Sequence, residues 1–349
     1  MTPNSAAITG IGSVSPYGTL AGLIPPGALE PEPITAWPTS GLRRAFLVKP
    51  FRPASVVPGL KTRRLDRLSA WAMVASSLAI QDAGIDLSQE DRSRVAVVFG
   101  TGFGCAELTE AFFQSAAAHG WAGTDPSPFP EGLANAPASH VALWHEIRGP
   151  NITIGCKCFA GESALIQAAS LLRQRQADLA IVLAGDTLTR AVYEWYEASG
   201  LLSPACSNSD PVADGSGFVP SEGVAALVLE PAGRRDARAY AHFSSGSWSA
   251  DGDAGVAIRQ MLGGSVPSIT ICAGNGAPCA TSCTSTLAGE ICGTSVGLVP
   301  AQAAAAGLTD TGALLHLILA LSNQAPSGQA LLLGTSGENG YSALLLELP

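Results

Sequence analysis

Short β-branched runs that end in glycine alternate along this chain with alanine-rich segments of helical period. That is the pattern of parallel strands covered by helices. Strand-like runs stand at 6–10, 95–100, 152–154, 179–183 and 224–230, with helical segments at 65–84 and 161–174. Within 65–84 the apolar positions Leu68, Trp71, Ala72, Ala75, Leu78 and Ala79 recur at spacings of three and four, which predicts one buried face. Gly84 then supplies the stop. Around 231–238 the chain turns charged and a shorter series begins, with strands at 239–242, 268–272, 330–333 and 342–347 and helices near 256–262 and 311–321. Two α/β halves of related layout, packed face to face, are therefore expected, covering residues 1–232 and 233–349. The proline-rich, aperiodic stretches 19–58 and 120–137 are expected to be surface loops.

Composition narrows the function. At 349 residues and 47% hydrophobic the chain can bury a substantial core. Only 13% of residues are charged and the net charge is −9, so no basic stripe is available to neutralise nucleic-acid phosphates. Sparse charge beside 39 glycines points to close packing and to surface hidden against another subunit. Apolar stretches such as 180–184 and 343–348 fall far below the roughly 20 residues that cross a bilayer. Residues 1–10 lack a basic segment and a long apolar one, so a cytoplasmic protein without a membrane span is expected. The eight cysteines form no paired framework of zinc spacing; Cys156-x-Cys158 has no second ligand pair, and neither a metal nor a cofactor is expected.

Several local sequences, in order along nearly the whole chain, resemble the β-ketoacyl synthase family. Ile8-Thr9-Gly10-Ile11-Gly12 with Ser15-Pro16 and Gly18 is similar to its first strand and turn, and Arg64-Leu65-Asp66-Arg67 with Gln81-Asp82-Ala83-Gly84 to its first long helix. Val98-Phe99-Gly100-Thr101-Gly102 is similar to its next strand and glycine turn. Gly149-Pro150-Asn151 running into Cys156-Lys157-Cys158-Phe159-Ala160-Gly161 resembles the nucleophile elbow, in a register that selects Cys158 over Cys156. Asp214-Gly215-Ser216-Gly217-Phe218 with Ser221-Glu222-Gly223, and Gly334-Thr335-Ser336-Gly337, resemble two later segments. The resemblance implies a thiolase-like α/β fold, two related βαβαβ halves forming an α-β-α-β-α sandwich with a shortened second half. It also implies an oxyanion hole from the backbone N–H groups of Cys158 and Thr335.

The chemistry of Cys158 holds without the family. A thiol between a strand and a helix start sits where unpaired N–H groups and the helix dipole favour the thiolate, the form that attacks an acyl thioester. The alternative is a small apolar residue filling a crowded turn. Departures from the family pattern matter as much. Condensation there uses two histidines of the second half, but downstream of Cys158 this chain has only His242 and His316, neither in a matching segment. Where one family histidine stands, the sequence offers Asn275, which cannot exchange a proton near neutral pH. The accompanying lysine is missing, since Lys157 is the last lysine, and Thr335 stands at the usual gating phenylalanine. Glu222 and Asp214 are expected to hold loops together, and His119, His140 and His145 to take no catalytic part. Lys157 is expected in a structural or surface role. The resemblance with these losses implies a chain-length-factor-like subunit of fatty acid or type II polyketide biosynthesis. Its expected partners are an acyl carrier protein, an acyl or polyketide chain, and a second subunit in a homodimer or a heterodimer with a ketosynthase. The alternative is an autonomous acyltransferase or atypical condensing enzyme using Cys158.

Overall fold

The computed structural model describes residues 5–25, 29, 31–37, 43–202, 218–249, 253–272, 287, 289, 297–299, 312–322, 327–336 and 340–349. The first half contributes strands β1 (Ala6–Ser15), β2 (Val95–Thr101), β3 (Asn151–Gly155), β4 (Leu179–Asp186) and β5 (Gly223–Pro231). Its helices are α1 (Arg67–Asp82), α2 (Ala106–His119), α3 (Ala136–Trp144), α4 (Ala160–Arg173) and α5 (Arg190–Ala198). The second half contributes β6 (Ala241–Ser249), α6 (Ala254–Leu262), β7 (Ile269–Cys272), β8 (Gly297–Val299), α7 (Gly312–Ser322), β9 (Gly328–Ser336) and β10 (Gly340–Leu348).

The two halves repeat one another. Strand order is β3-β2-β4-β5-β1 in the first and β8-β7-β9-β10-β6 in the second. In each, the first three of these run parallel and the last two antiparallel. Antiparallel pairing of Ala6–Ile8 with Ala241–Phe243 joins them. Side-chain alternation along the strands then builds the layers. Val95, Val97, Phe99, Leu179, Ile181 and Leu183 face α1 and α3, whereas Ala96, Val98, Ala180 and Val182 face a central layer of α4 and α7. In the second half Leu332 and Leu346 face that same central layer, and Leu331, Leu333 and Leu345 face α6. This is the α-β-α-β-α sandwich.

Local chemistry fixes the helix ends. The Asp66 carboxylate accepts from Leu68 N–H at 2.9 Å and caps α1, and Gly84, at φ 62°, ends it. The single buried face expected for this helix is too narrow, because Ala70, Met73, Val74 and Ile80 are buried as well. Two partners, the sheet on one side and α3 on the other, cover it. The stretch 19–58 also departs from a plain surface loop: Ile34, Ala45 and Phe46 are buried, and Ile34 and Ala45 pack under α5. Within 120–137 the chain forms 3₁₀ turns at Trp121–Gly123 and Phe129–Gly132 and starts α3 at Ala136. The strand expected at 239–242 is instead the nine-residue β6, which starts at Ala241. Its alternation was hard to read because half-buried serines and a glycine fill it.

Candidate acyl-thioester site

Strands β2, β3 and β4 end together, with Thr101 beside Gly155 and Gly100 beside Ala184. The buried carboxylate of Asp186, at the end of β4, accepts from the Thr101 hydroxyl at 2.6 Å, from Gly102 N–H at 3.0 Å and from Phe103 N–H at 2.9 Å. Burial pushes its pKa up and these bonds oppose the rise. The effect is to lock the glycine turn after β2.

Beside that turn the chain leaves β3 and forms an elbow. Cys156 N–H donates to Thr101 O at 3.1 Å, and the Cys156 thiol donates to Cys158 O at 2.7 Å. Phe159 has φ 62° and is the N-cap of α4. A non-glycine residue in the left-handed region costs on the order of 1 kcal/mol or more, and such strain gathers where a side chain must be aimed. Gly100 makes the elbow possible, since a Cβ there would lie 2.3 Å from Ala160 O. Without one, the first turn of α4 settles directly on β2.

Cys158 thus stands half-buried in the elbow, immediately before the α4 N-cap, where helix N–H groups lack intrahelical partners. Cys105 is the contrasting thiol: it is fully buried, 3.8 Å from Ser69 Oγ, and burial followed by the nearby Asp66 charge pushes it up to about 12. Lys157 places its ammonium 3.2 Å from the Phe103 ring centre and 5.2 Å from that of Trp195, so it docks the elbow on the aromatic cluster under α5.

The second half reaches the same place. Thr335 lies near the end of β9 opposite Tyr341, and Gly334 opposite Ser342. A Cβ on Gly334 would lie 2.8 Å from Ser342 Oγ, 3.3 Å from Glu162 Oε1 and 3.4 Å from the Phe159 ring. Gly334 therefore lies close to the Phe159 ring at the elbow, and Thr335 is the next residue of β9. Asn275 falls outside the described residues; the strand before it, β7, ends at Cys272, whose neighbour Leu333 leads into this Gly334–Thr335 corner.

His242 lies away from the elbow. His242 pairs with Ala7 and Glu347. The elbow end of β1 is Val14, through Val14↔Val224 and Asp186↔Gly223, so His242 sits at the opposite end of the strands, about 20 Å away along β1. His316 is buried in α7 among Leu314, Leu315, Leu317 and Ile318. His140 contacts Glu131 at 2.6 Å, and His145 contacts Ser76 at 3.0 Å, burial pushing His145 down to about 4 with the Arg92 charge adding to it. Glu222 accepts from Val48 and Leu188 N–H groups and pairs with Arg67, a loop-holding role; Asp214 lies outside the described residues. Among the described residues no cluster of three metal-ligating side chains exists and no helix is long and apolar enough to cross a membrane.

Two buried carboxylates of the site, Asp186 and Glu162, carry no signal in the local sequence. Glu162, on the first turn of α4, is 3% exposed and accepts from the Ser342 hydroxyl at 2.8 Å. Burial pushes its pKa up to about 7, against its own backbone N–H and the Ser342 hydroxyl. A glutamate three residues past an N-cap reads as a surface capping group. Its N-cap, Phe159, has no side-chain oxygen to complete such a box.

Comparison with known proteins bears on this geometry. The family model "Beta-ketoacyl synthase, N-terminal domain" matches residues 28–234. The 3-oxoacyl-[acyl-carrier-protein] synthase 2 of Coxiella burnetii is 26% identical over 267 residues, covering 72% of this chain and 64% of that protein. The putative polyketide beta-ketoacyl synthase 1 of Streptomyces cyaneus is 31% identical over 270 residues, covering 71% and 63%. The matched region thus spans less than two thirds of these relatives' length. Among solved structures, the ishigamide ketosynthase/chain length factor superposes with a TM-score of 0.78 at 20% identity over 99% of both chains. A type II PKS acyl-carrier protein in complex with its ketosynthase gives 0.75 at 17% over 100% of both. At such identities these structures establish the thiolase-like fold.

Proposed function

Because this chain belongs to the β-ketoacyl synthase family, we propose that it is a ketosynthase-like subunit of fatty acid or type II polyketide biosynthesis, acting as a chain-length-factor-like partner that shapes the acyl cavity of an active ketosynthase. The observation that carries this reading is the placement of the histidines. The elbow is built, but of the two histidines downstream of it His242 lies at the far end of the strands and His316 is buried in an apolar helix, and neither falls in a segment that matches the family's histidine motifs. A partner chain is supported by two surfaces. Helix α2 has no buried residue and leaves Phe113 exposed beside Trp121, with exposed Phe129 against Phe112. Strand β3 is the last in its sheet order, an edge that another strand can extend.

Under this reading the division at 232/233 separates a half that carries the thiol from a half that supplies the Gly334–Thr335 corner and part of the acyl cavity. The carrier protein presents its thioester at the elbow in the cytoplasm. The second reading, an autonomous acyltransferase, is favoured by the retained thiol, half-buried just before a helix N-terminus. The test is to mix the purified chain with acyl-carrier-protein thioesters, with and without an intact, histidine-bearing ketosynthase. The partner reading expects a stable complex and condensation only in the mixture. Acyl uptake on Cys158 with transfer to an acceptor by the chain alone would replace it with the second reading.

A further inference from the structure

Glu162 is the buried titratable group that the site as described leaves without a task. Carboxylates are rarely buried without a cation, because desolvation costs several kcal/mol. Here the groups acting on the carboxyl most strongly after burial are hydrogen bonds, from its own N–H and from Ser342. It stands four residues after Cys158, and a Cβ placed on Gly334 would lie 3.3 Å from its Oε1 and 3.4 Å from the Phe159 ring. Ser342 is the register partner of Gly334 across β9 and β10. The carboxyl therefore joins the first turn of α4, through its own N–H, to Ser342 beside Gly334.

We propose that Glu162 is a positioning residue of this acyl-thioester site, its carboxyl tying the Cys158–Phe159 elbow of the first half to the Gly334–Thr335 corner of the second. The inference rests on the reading of Cys158 as an acyl-accepting thiol. The tie keeps the backbone of the corner in register with the sulfur. An ionised carboxylate in that place opposes a thiolate, because like charges a short distance apart in a low-dielectric site disfavour one another. The tie is therefore best held by an uncharged carboxyl. The other titratable groups on the elements packed against α4 are Asp186, Glu230, His242, His316, Tyr341 and Glu347, with Cys156, Lys157 and Cys158 in the elbow itself.

The experiment compares wild type, Glu162→Gln and Glu162→Ala, each as the full chain, in two assays. The first is the rate of iodoacetamide alkylation of Cys158 between pH 6 and 9, read by peptide mass. The second is acyl uptake from an acyl-carrier-protein thioester. Glu162→Gln removes the charge and keeps an acceptor for Ser342, so its alkylation profile is expected to shift to lower pH, with a rate at pH 8 about three- to tenfold above wild type. Glu162→Ala shifts the profile too but loses the tie, and its acyl uptake falls at least about tenfold, a loss that Glu162→Gln largely restores. Alkylation profiles that superimpose for all three proteins, or equal acyl uptake by wild type and Glu162→Ala, would overturn the proposal. Shifted profiles with no acyl uptake by any of the three would uphold the coupling of Glu162 to the thiol and sink the acyl-accepting reading instead.

Discussion

Helices α4 and α7 occupy the same place in the two halves, each following the edge strand of its sheet and preceding the next strand in chain order. They have diverged completely in use. The first turn of α4 carries a strained N-cap, a buried glutamate and, just upstream, a half-buried thiol. Helix α7 buries Leu314, Leu315, Leu317 and Ile318 at 0% exposure each, with His316 buried among them. Burying such a side chain is worth roughly 1.5–3 kcal/mol, so α7 serves as the core on which the halves close. Duplicated topology thus preserves packing on both sides, while the half-buried thiol and the buried carboxyl stand on one.

That contrast can be broken first at the sulfur. Cys158→Ala is expected to abolish any acyl-mass increment on the chain, more than about 1,000-fold, whereas Cys105→Ala leaves it in place; intact-mass measurement after incubation with an acyl thioester reads both. The next largest effect concerns the glycines beneath the central layer. Gly100→Val drives a side chain into backbone, with Ala160 O at 2.3 Å, and should cost about 3 kcal/mol or more in urea unfolding. Gly246→Ala, in the second half, meets only the side chains of Ile166 and Leu344, which can turn aside, and should cost about 1–2 kcal/mol. Equal losses would show that α4 is no more tightly seated at Gly100 than at Gly246.

The seam between the halves gives a pH test. Glu230 lies against Thr9, Arg234 and Arg235; burial raises its pKa, but hydrogen bonds from Arg235, Thr9 and Arg234 outweigh this and hold it at about 2. A depressed carboxylate stabilises the fold above its unfolded value and loses that contribution as pH falls through about 2. Wild type should exceed Glu230→Gln by about 2 kcal/mol at pH 7, allowing for solvent screening, and the gap should narrow steadily below pH 4. A gap that does not change with pH would remove the ion cluster from the seam. Smallest is Lys157→Ala, expected to cost about 0.5–1 kcal/mol through lost contact with Phe103 and Trp195.

How much of this was legible in the sequence follows from the physics of each signal. Strand and helix positions came from hydrophobic period, which burial enforces, so β2, β4, α1 and α4 fell within a few residues of the expected places. The layout of two related halves was likewise visible in the order of elements. Partners across the chain were not: nothing local to Ser342 or Gly334 reveals that they meet Glu162, because that contact depends on how the second sheet closes over α4. The burial of 34, 45 and 46 was hidden for the same reason, as proline-rich segments carry no period even when their side chains fill a core. The position of Cys158 between a strand and a helix start was legible because the three are contiguous in sequence. Of the two family histidine sites, the sequence shows the loss, and Asn275 lies outside the described residues.

The central claim is that this site holds a thiol without condensation machinery, and the direct measurement is malonyl-carrier-protein decarboxylation by the purified chain alone, against an intact ketosynthase under the same conditions. Each positioned donor of this kind is worth on the order of 100-fold, so a rate at least about 100-fold below the intact enzyme is expected, rising only when a ketosynthase partner is added. A rate comparable to that of the intact enzyme, by this chain alone, would contradict the account.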